Sequence, residues 1–327
     1  MGGGVASTFV RSNASAKDIE VPKKVMLLHN PTAGASHPNA EALLEGIQKA
    51  IGVKPSYFSI KNADWKDALS KRWDAVILAG GDGTVGKSVR WLRDRKTPIA
   101  ILPLGTANNV ARSLGIEGDL ESLLSKLPTA SARSLDVGCA TGPWGKRMFL
   151  EALGVGSIAE GVSQSGPRPP KPIRLDMARE DLQELVKNAE PELFELKVDG
   201  EKFGGEFLFV EVLNLSFTGP ALPLAFHASP DDGLFDVVFL EAKNRKSMLT
   251  WLDDNPEKAP PPLTVLQGRK VKMVWHGGHL RIDSRVFLPP KKPVQVTITL
   301  KKQSFKVLVP SLAHTKEPPR QTRGQGN

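Results

Sequence analysis

The sequence predicts an α/β domain with a parallel sheet over residues 21–135, followed by a mostly antiparallel β domain over residues 136–310. Strand-like apolar runs alternate with helical spacings up to about residue 130, and this alternation is typical of parallel βαβ units. Beyond Asp136, runs rich in Phe, Val, Leu and Ile follow one another with few helical segments between them. The chain has 327 residues, which is more than one core usually fills, so two domains are expected.

In the first domain, short and nearly continuous apolar runs predict buried parallel strands, and spacings of three and four predict the helices between them. The strands are expected in VPKKVMLLHN (21–30), KPSYFSIK (54–61), WDAVILAGG (73–81) and PIAILPLG (98–105). The helices are expected at 39–51, 64–73, 85–95 and 108–116.

In the second domain, one helix at about 175–189 interrupts a series of strands. The strands are expected at 145–158, 193–199, 206–216, 234–241, 270–283 and 293–309. The proline-rich stretches 166–172 and 258–263 are typical of exposed loops. The Gly/Ser/Ala-rich start (1–20) and the polar tail (311–327) are expected to be disordered.

The composition narrows the class of partner without choosing one. The formal net charge of +9 favours anions such as nucleotides, nucleic acid or an acidic membrane surface, although it also suits a basic surface that only keeps the protein soluble. Aromatic residues are only 6% and no RNA-recognition signature occurs, so no nucleic-acid partner is expected. With Cys139 as the only cysteine and no signal-peptide or membrane-spanning pattern, a cytoplasmic protein is expected.

The run Gly80-Gly81-Asp82-Gly83-Thr84 stands between a predicted strand and a predicted helix. Glycines let the backbone approach a phosphate closely, and the free N–H groups of a following helix attract an anion. Taken alone, such a turn is more often only a tight strand-to-helix connection.

Two more loops of this kind follow predicted strands of the same sheet. One is Pro103-Leu104-Gly105-Thr106-Ala107-Asn108-Asn109, where the two asparagines could also serve as helix caps, and the other is Asn30-Pro31-Thr32-Ala33-Gly34. Open α/β sheets bind ligands at the carboxyl ends of their strands, so the three loops predict a phosphate site at one edge. None of them matches the Walker A or G-x-G-x-x-G pattern.

These motifs carry a resemblance to a known family. AVILAGGDGT followed by ILPLGTANNVARSLGI resembles the catalytic domain of diacylglycerol kinases, sphingosine kinases and soluble bacterial lipid kinases. SPDDGLFDVV (229–238) is similar to a segment of the family's second domain, and the likeness extends from about residue 22 to 309. GGDGT alone is shared with nicotinamide dinucleotide kinases, which belong to the same superfamily.

The resemblance implies a Rossmann-like, NAD kinase-like first domain and Mg²⁺-dependent transfer of a phosphoryl group from ATP to a lipid hydroxyl at a membrane surface. It implies Asp82 as a catalytic residue, a lipid substrate reached by peripheral membrane association, and a possible homodimer. The implied nucleotide-binding residues are Asn30, Ser59, Gly80, Gly81, Asp82, Gly83, Thr84, Val85, Gly86, Gly105, Thr106 and Asn108. The implied Mg²⁺ site is Ser229, Asp232 and Leu234, although Asp232-Gly233 also suits a plain turn.

Three positions depart from the family's acidic pattern. Lys87 and Asn109 stand where the family usually has Glu and Asp, and Arg285 stands where it has the Glu thought to be the general base. Arg285 cannot accept a proton, but it could neutralise phosphate charge or bind an anionic headgroup. Asp283, two residues earlier, could act as a displaced base or be a solvated acid at the end of a strand.

Three functions therefore remain open at the level of sequence: a lipid kinase, a protein that binds nucleotide or lipid without catalysis, and a kinase of a soluble alcohol. Intact Asp82 and Asp232 favour the first, and Arg285 favours the second.

Overall fold

A computed structural model describes residues 22–34, 38–164, 173–254, 256 and 258–310. The terminal segments 1–20 and 311–327 and the proline-rich stretch 166–172, for which disorder or loops are predicted, lie outside the described residues.

The first domain is built on four parallel strands in the order β2-β1-β3-β4. The strands are β1 (Val25–His29), β2 (Ser56–Ser59), β3 (Ala75–Gly80) and β4 (Pro98–Pro103). The helices are α1 (Ala40–Ile51), α2 (Trp65–Leu69), α3 (Asp82–Ser88), α4 (Asn109–Ser113) and α5 (Leu120–Lys126). Every residue of β1 and β3 is buried, because helices cover both faces of the sheet; the predicted α/β domain is confirmed.

The second domain is mostly antiparallel, as predicted. Its strands are β5 (Ser131–Gly142), β6 (Gly145–Phe149), β7 (Ala152–Gly156), β8 (Glu192–Val198), β9 (Glu201–Leu213), β10 (Phe235–Glu241), β11 (Thr264–Gly268), β12 (Lys270–Trp275), β13 (Leu280–Ile282), β14 (Arg285–Phe287) and β15 (Val294–Val309). Its helices are α6 (Ser157–Gln164), α7 (Ile173–Asn188) and α8 (Arg245–Asp253). Apolar side chains of the two faces form separate cores.

Several elements differ from the sequence prediction, and glycines explain two of the differences. The strand predicted at 145–158 is β6, β7 and the start of α6, because Gly156 adopts a φ of 88° that ends β7. The strand predicted at 270–283 is divided by a turn at Gly277, whose φ is 73°. The helix predicted at 85–95 is α3, which begins at Asp82 and ends at Ser88.

The two domains share their longest strand. Val294–Thr299 of β15 pair with β12, Thr297–Lys301 and Phe305–Val309 pair with β5, and Lys306–Leu308 pair in parallel with β4. The predicted boundary between residues 135 and 136 lies inside β5. The hydrogen-bonded path of strands therefore runs from one domain into the other and fixes the cleft between them.

Candidate functional site

The three predicted phosphate loops lie together at the carboxyl ends of β1, β3 and β4. Asn30 Nδ2 donates to Thr84 Oγ1 at 3.2 Å, which ties the loop after β1 to α3. The backbone N–H of Leu104 donates to the carbonyl of Gly80 at 3.1 Å, which ties the loop after β4 to the end of β3. The sequence thus predicted correctly that these loops would meet.

The loops approach so closely that only glycine fits at their contacts. A Cβ on Gly105 would lie 2.4 Å from Gly81 Cα, and a Cβ on Gly34 would lie 2.1 Å from the carbonyl oxygen of Leu104. Real Cβ atoms do not approach other atoms this closely, so the glycines are needed to bring the loops together.

Asn108, Ser59 and Thr106 also belong to the predicted nucleotide-binding set, and Asn108 has a defined local role. Asn108, at a φ of 54°, accepts a hydrogen bond from Gly105 N (2.9 Å) and donates to the carbonyls of Pro103 and Gly105 (both 3.1 Å). Its side chain therefore organises the turn and does not cap α4. Ser59 ends β2 beside His29, and Thr106 lies in the loop before α4.

Asp82 is the first residue of α3 and points toward the next helix. Its Oδ1 accepts a hydrogen bond from the backbone N–H of Val110 at 2.9 Å. Burial and the negative charge of Glu151 raise the pKa of Asp82 to about 6, although backbone hydrogen bonds oppose this shift.

Asp283 lies in the tight turn between β13 and β14, at a φ of 51°. Its carboxylate accepts hydrogen bonds from the backbone N–H groups of Glu151 (2.9 Å) and Leu150 (3.2 Å). Burial and the charge of Glu151 raise the pKa of Asp283 to about 6. The alternative of a solvated strand-end acid is therefore wrong, because Asp283 is partly buried and its carboxylate faces the cleft near Gly86.

Glu151, in the connection between β6 and β7, is the functional candidate that sequence reasoning missed. It is buried at 7% exposure, and its Oε1 accepts hydrogen bonds from Thr218 Oγ1 (2.7 Å) and Gly219 N (3.1 Å). Its Oε2 accepts a hydrogen bond from Asn109 Nδ2 at 3.0 Å. The resemblance implies an acid at position 109, where this chain has Asn109. The carboxylate of Glu151 contacts that asparagine.

Arg281 holds Glu151 in place from the opposite side. Its guanidinium donates to Glu151 Oε1 at 3.2 Å and to both carboxylate oxygens of Glu211, at 3.0 and 2.6 Å. Burial alone would lower the pKa of Arg281, but the charges of Glu211 and Glu151 outweigh it and raise that pKa. Each of these residues interrupts an apolar run (MFLEALGVG, FVEVLNL and HLRID), and that interruption was a signal available in the sequence.

Two of the departures from the family pattern are on the surface. Lys87 is exposed on α3, and Arg285 is exposed at the start of β14 with its guanidinium carbon 5.3 Å from the centre of the Phe287 ring. The acids that lie close enough to act on one another's charge here are Asp82, Glu151 and Asp283, and they come from both domains.

The implied Mg²⁺ residues are placed in a setting that does not suit a divalent cation. Arg133 donates to Ser229 Oγ at 3.0 Å and forms an ion pair of 3.1 Å with Asp231. Asp232 Oδ1 accepts a hydrogen bond from Leu234 N at 2.8 Å, as in a plain turn, and the side chain of Lys302 fills the space beside Gly233. A guanidinium and an ammonium group therefore lie where a cation would need oxygen ligands.

Elsewhere in the described ranges, no three side chains of His, Cys, Asp or Glu are grouped so that they could hold a metal ion. His276 and His279 flank the turn at Gly277, and His279 Nδ1 lies 2.6 Å from Glu160 Oε1.

Comparison with known proteins gives matches along both domains. Residues 24–140 match the diacylglycerol kinase catalytic domain, and residues 152–284 match the YegS C-terminal NAD kinase beta sandwich-like domain. A diacylglycerol kinase of Bacillus subtilis is 28% identical over 68% of this chain and 75% of its own length. One from Staphylococcus aureus is 27% identical over 68% of this chain and 72% of its own length.

Among solved structures, a diacylglycerol kinase from Bacillus anthracis aligns with a TM-score of 0.63 at 19% identity, covering 88% of this chain and 97% of that one. This likeness shows the shared fold. No helix in the described ranges is long and apolar enough to cross a membrane.

Proposed function

Since this chain belongs to the diacylglycerol kinase catalytic-domain family, we propose that it transfers the terminal phosphoryl group of ATP to a lipid hydroxyl at a membrane surface. Membership of this family supports a kinase activity. We propose in addition which molecule donates the phosphoryl group, which molecule accepts it and which residues act on them.

The observation that carries this proposal is the meeting of glycine turns and carboxylates at the cleft between the domains. The turns at Gly81 and Gly105 touch, so one polyphosphate would lie against both of them. Asp283 reaches from the second domain to within 3.8 Å of the position that a Cβ on Gly86 would occupy. A donor held by the turns would therefore lie beside a group able to accept a proton.

In the proposed step, the acceptor hydroxyl attacks the terminal phosphorus of ATP, the bond to the ADP oxygen breaks, and Asp283 takes the hydroxyl proton. A base with a pKa of about 6 is mostly ionised at pH 7 and still basic enough to assist. General-base assistance typically raises the reaction rate ~10²–10⁴-fold. Positioning of ATP by the glycine turns would supply most of the rest of the rate enhancement.

Asp82 and Glu151 have supporting roles in this proposal. Asp82 joins the glycine turn to α4 through Val110 and fixes the two halves of the phosphate site. Glu151 keeps negative charge beside Asp82 and Asp283 and is itself held by Arg281 and Asn109. Mg²⁺ bound with ATP would supply positive charge that neutralises the phosphates.

A second candidate is a protein that binds nucleotide or lipid without catalysis. The observation that favours it is Arg285, which is exposed and permanently charged where the resemblance leads one to expect a general base. The two candidates differ in whether Asp283 can replace that base.

The test is phosphate transfer from labelled ATP to lipid in mixed micelles with Mg²⁺. We expect lipid-dependent transfer that falls at least about 100-fold in Asp283→Asn, the loss of one general base. Asp254→Asn removes the charge of an exposed acid outside the cleft and should transfer phosphate normally. ATP binding without transfer to any lipid would favour the second candidate, and binding of neither ATP nor lipid would exclude both.

A further inference from the structure

We propose that Arg90, Arg147 and Arg285 form a binding site for the phosphate of an anionic phospholipid headgroup at the mouth of the cleft. This inference rests on the proposed function for its place beside Asp283, but the binding itself does not require catalysis.

The three arginines converge from separate elements. The guanidinium carbons of Arg147, on β6, and Arg285, on β14, lie 5.7 and 5.3 Å from the centre of the same Phe287 ring. Arg90, just beyond α3, donates from Nη2 to the carbonyl of Met148 at 3.2 Å, next to Arg147 in the chain. The nucleotide-binding element α3 and the acceptor-side strands thus contribute to one basic cluster.

The positive charge of this cluster is not neutralised by ion pairs. None of the three arginines forms a salt bridge with an acid in the described part of the chain, and Asp283 is the acid whose charge acts on Arg147. Burial and then the charges of Arg285 and Arg90 lower the pKa of Arg147, and its buried Nε has no hydrogen-bond partner. Like charges held together around an unused donor indicate a site for an anion.

The rim of the cluster is apolar, and this distinguishes a lipid surface from a soluble anion. Phe287 packs on Trp144 with ring centres 4.5 Å apart, and the next residue, Leu288, is 76% exposed. Two prolines and then Lys291 and Lys292 follow directly. An exposed leucine and aromatic rings flanked by arginines and lysines suit the interface of an acidic membrane.

The cluster is placed where it can orient an acceptor. Arg285 follows Asp283 by two residues across the β13–β14 turn, and Asp283 faces Gly86 of α3. A headgroup phosphate held by the arginines would therefore bring neighbouring hydroxyl groups toward Asp283. This favours lipids that carry a phosphate over uncharged ones.

The experiment is sedimentation of the full chain with vesicles of phosphatidylcholine, with and without phosphatidylglycerol, in the absence of ATP. We expect tighter binding to the phosphatidylglycerol vesicles, weakened by about fivefold for each arginine removed in Arg147→Gln/Arg285→Gln and reduced by salt. The control Arg269→Gln removes one positive charge from an exposed residue just before β12, at the opposite end of that strand from Trp275, and should bind as the wild type does.

Four outcomes would overturn the proposal: equal binding to both vesicles, equal binding by the double variant and Arg269→Gln, reduced ATP affinity with unchanged vesicle binding, or competition by inorganic phosphate alone at low concentration. The third would assign the arginines to the nucleotide, and the fourth would assign them to a free anion. If the double variant fails to fold, the single variant Arg285→Gln, at an exposed position, replaces it in the vesicle-binding test. Because vesicle binding is measured without ATP, a failure of the proposed kinase activity leaves this result interpretable.

Discussion

Asp283 places function and stability in conflict at a single residue. Its folded pKa of about 6 lies above the ordinary aspartate value of 3.8, so the folded state binds the proton more tightly than the unfolded state. This group's contribution to stability is present below pH 4 and is lost as pH rises through 6. Asp283→Asn should therefore raise the free energy of unfolding at pH 7 by up to about 3 kcal/mol while it abolishes proton transfer.

The measurement is urea unfolding of Asp283→Asn and wild type at pH 4 and pH 7. The stabilisation should be large at pH 7 and small at pH 4, where the wild-type carboxyl is mostly protonated. Asn keeps an oxygen for the N–H groups of Leu150 and Glu151, so loss of hydrogen bonds should not obscure the result. A variant less stable than wild type at pH 7 would contradict the argument.

Arg281 is the residue whose loss should damage the folded state most among those at the site. It is 1% exposed and neutralises Glu211 and Glu151 together. Arg281→Met would leave two buried carboxylates without a cation, so we expect a loss of about 3–5 kcal/mol. Adding Glu211→Gln removes one of those charges and should recover part of the loss; thermal unfolding of the two variants decides this.

The sequence predicted the residues of the phosphate loops but not the buried Glu151. Asp82 and Gly105 belong to motifs that are local in sequence, so their places followed from the strands before them. Glu151 interacts with Asn109 and Arg281, which are 42 and 130 residues away. Contacts at such separations depend on strand register, which one sequence does not provide.

At the level of elements, the turns β3–α3 and β4–α4 work as one unit because Gly81 and Gly105 touch. Gly105→Ala would place Cβ 2.4 Å from Gly81 Cα and 2.7 Å from Asn108 Oδ1, so the turns must separate. We expect a loss of about 1–3 kcal/mol in stability, as for overpacking elsewhere, together with weaker ATP binding.

The matched control lies in the same motif. A Cβ on Gly83 meets nothing within 4 Å, and Gly83 lies inside α3. Gly83→Ala should therefore stabilise the protein by about 0.5–1 kcal/mol through helix propensity, in the opposite direction to Gly105→Ala. Thermal unfolding of both variants measures the difference, and a shift of the same sign in both would contradict the contact between the turns.

Over the whole molecule, the sequence predicted both domain types but not how they are joined. The alternation of strand and helix and the later β-rich pattern each follow from local periodicity. The pairing of β15 with β4 does not follow from local periodicity, because the paired residues of the two strands lie about 200 residues apart in the chain. The same reason explains why β5, which bridges the domains, was not predicted as a strand.

The shared strand predicts that the two domains unfold together. Phe305 lies on β15, is fully buried in the core of the first domain, and pairs with Leu135 of β5. Phe305→Ala should cost about 3–5 kcal/mol, and because β15 also pairs with β12 the loss should lower the stability of both domains equally. Hydrogen exchange of β3 and β9 would show equal loss of protection, whereas Val265→Ala, at a 47% exposed position on β11, should change neither. Loss of protection confined to β3 would mean that the domains unfold separately and that β15 does not couple them.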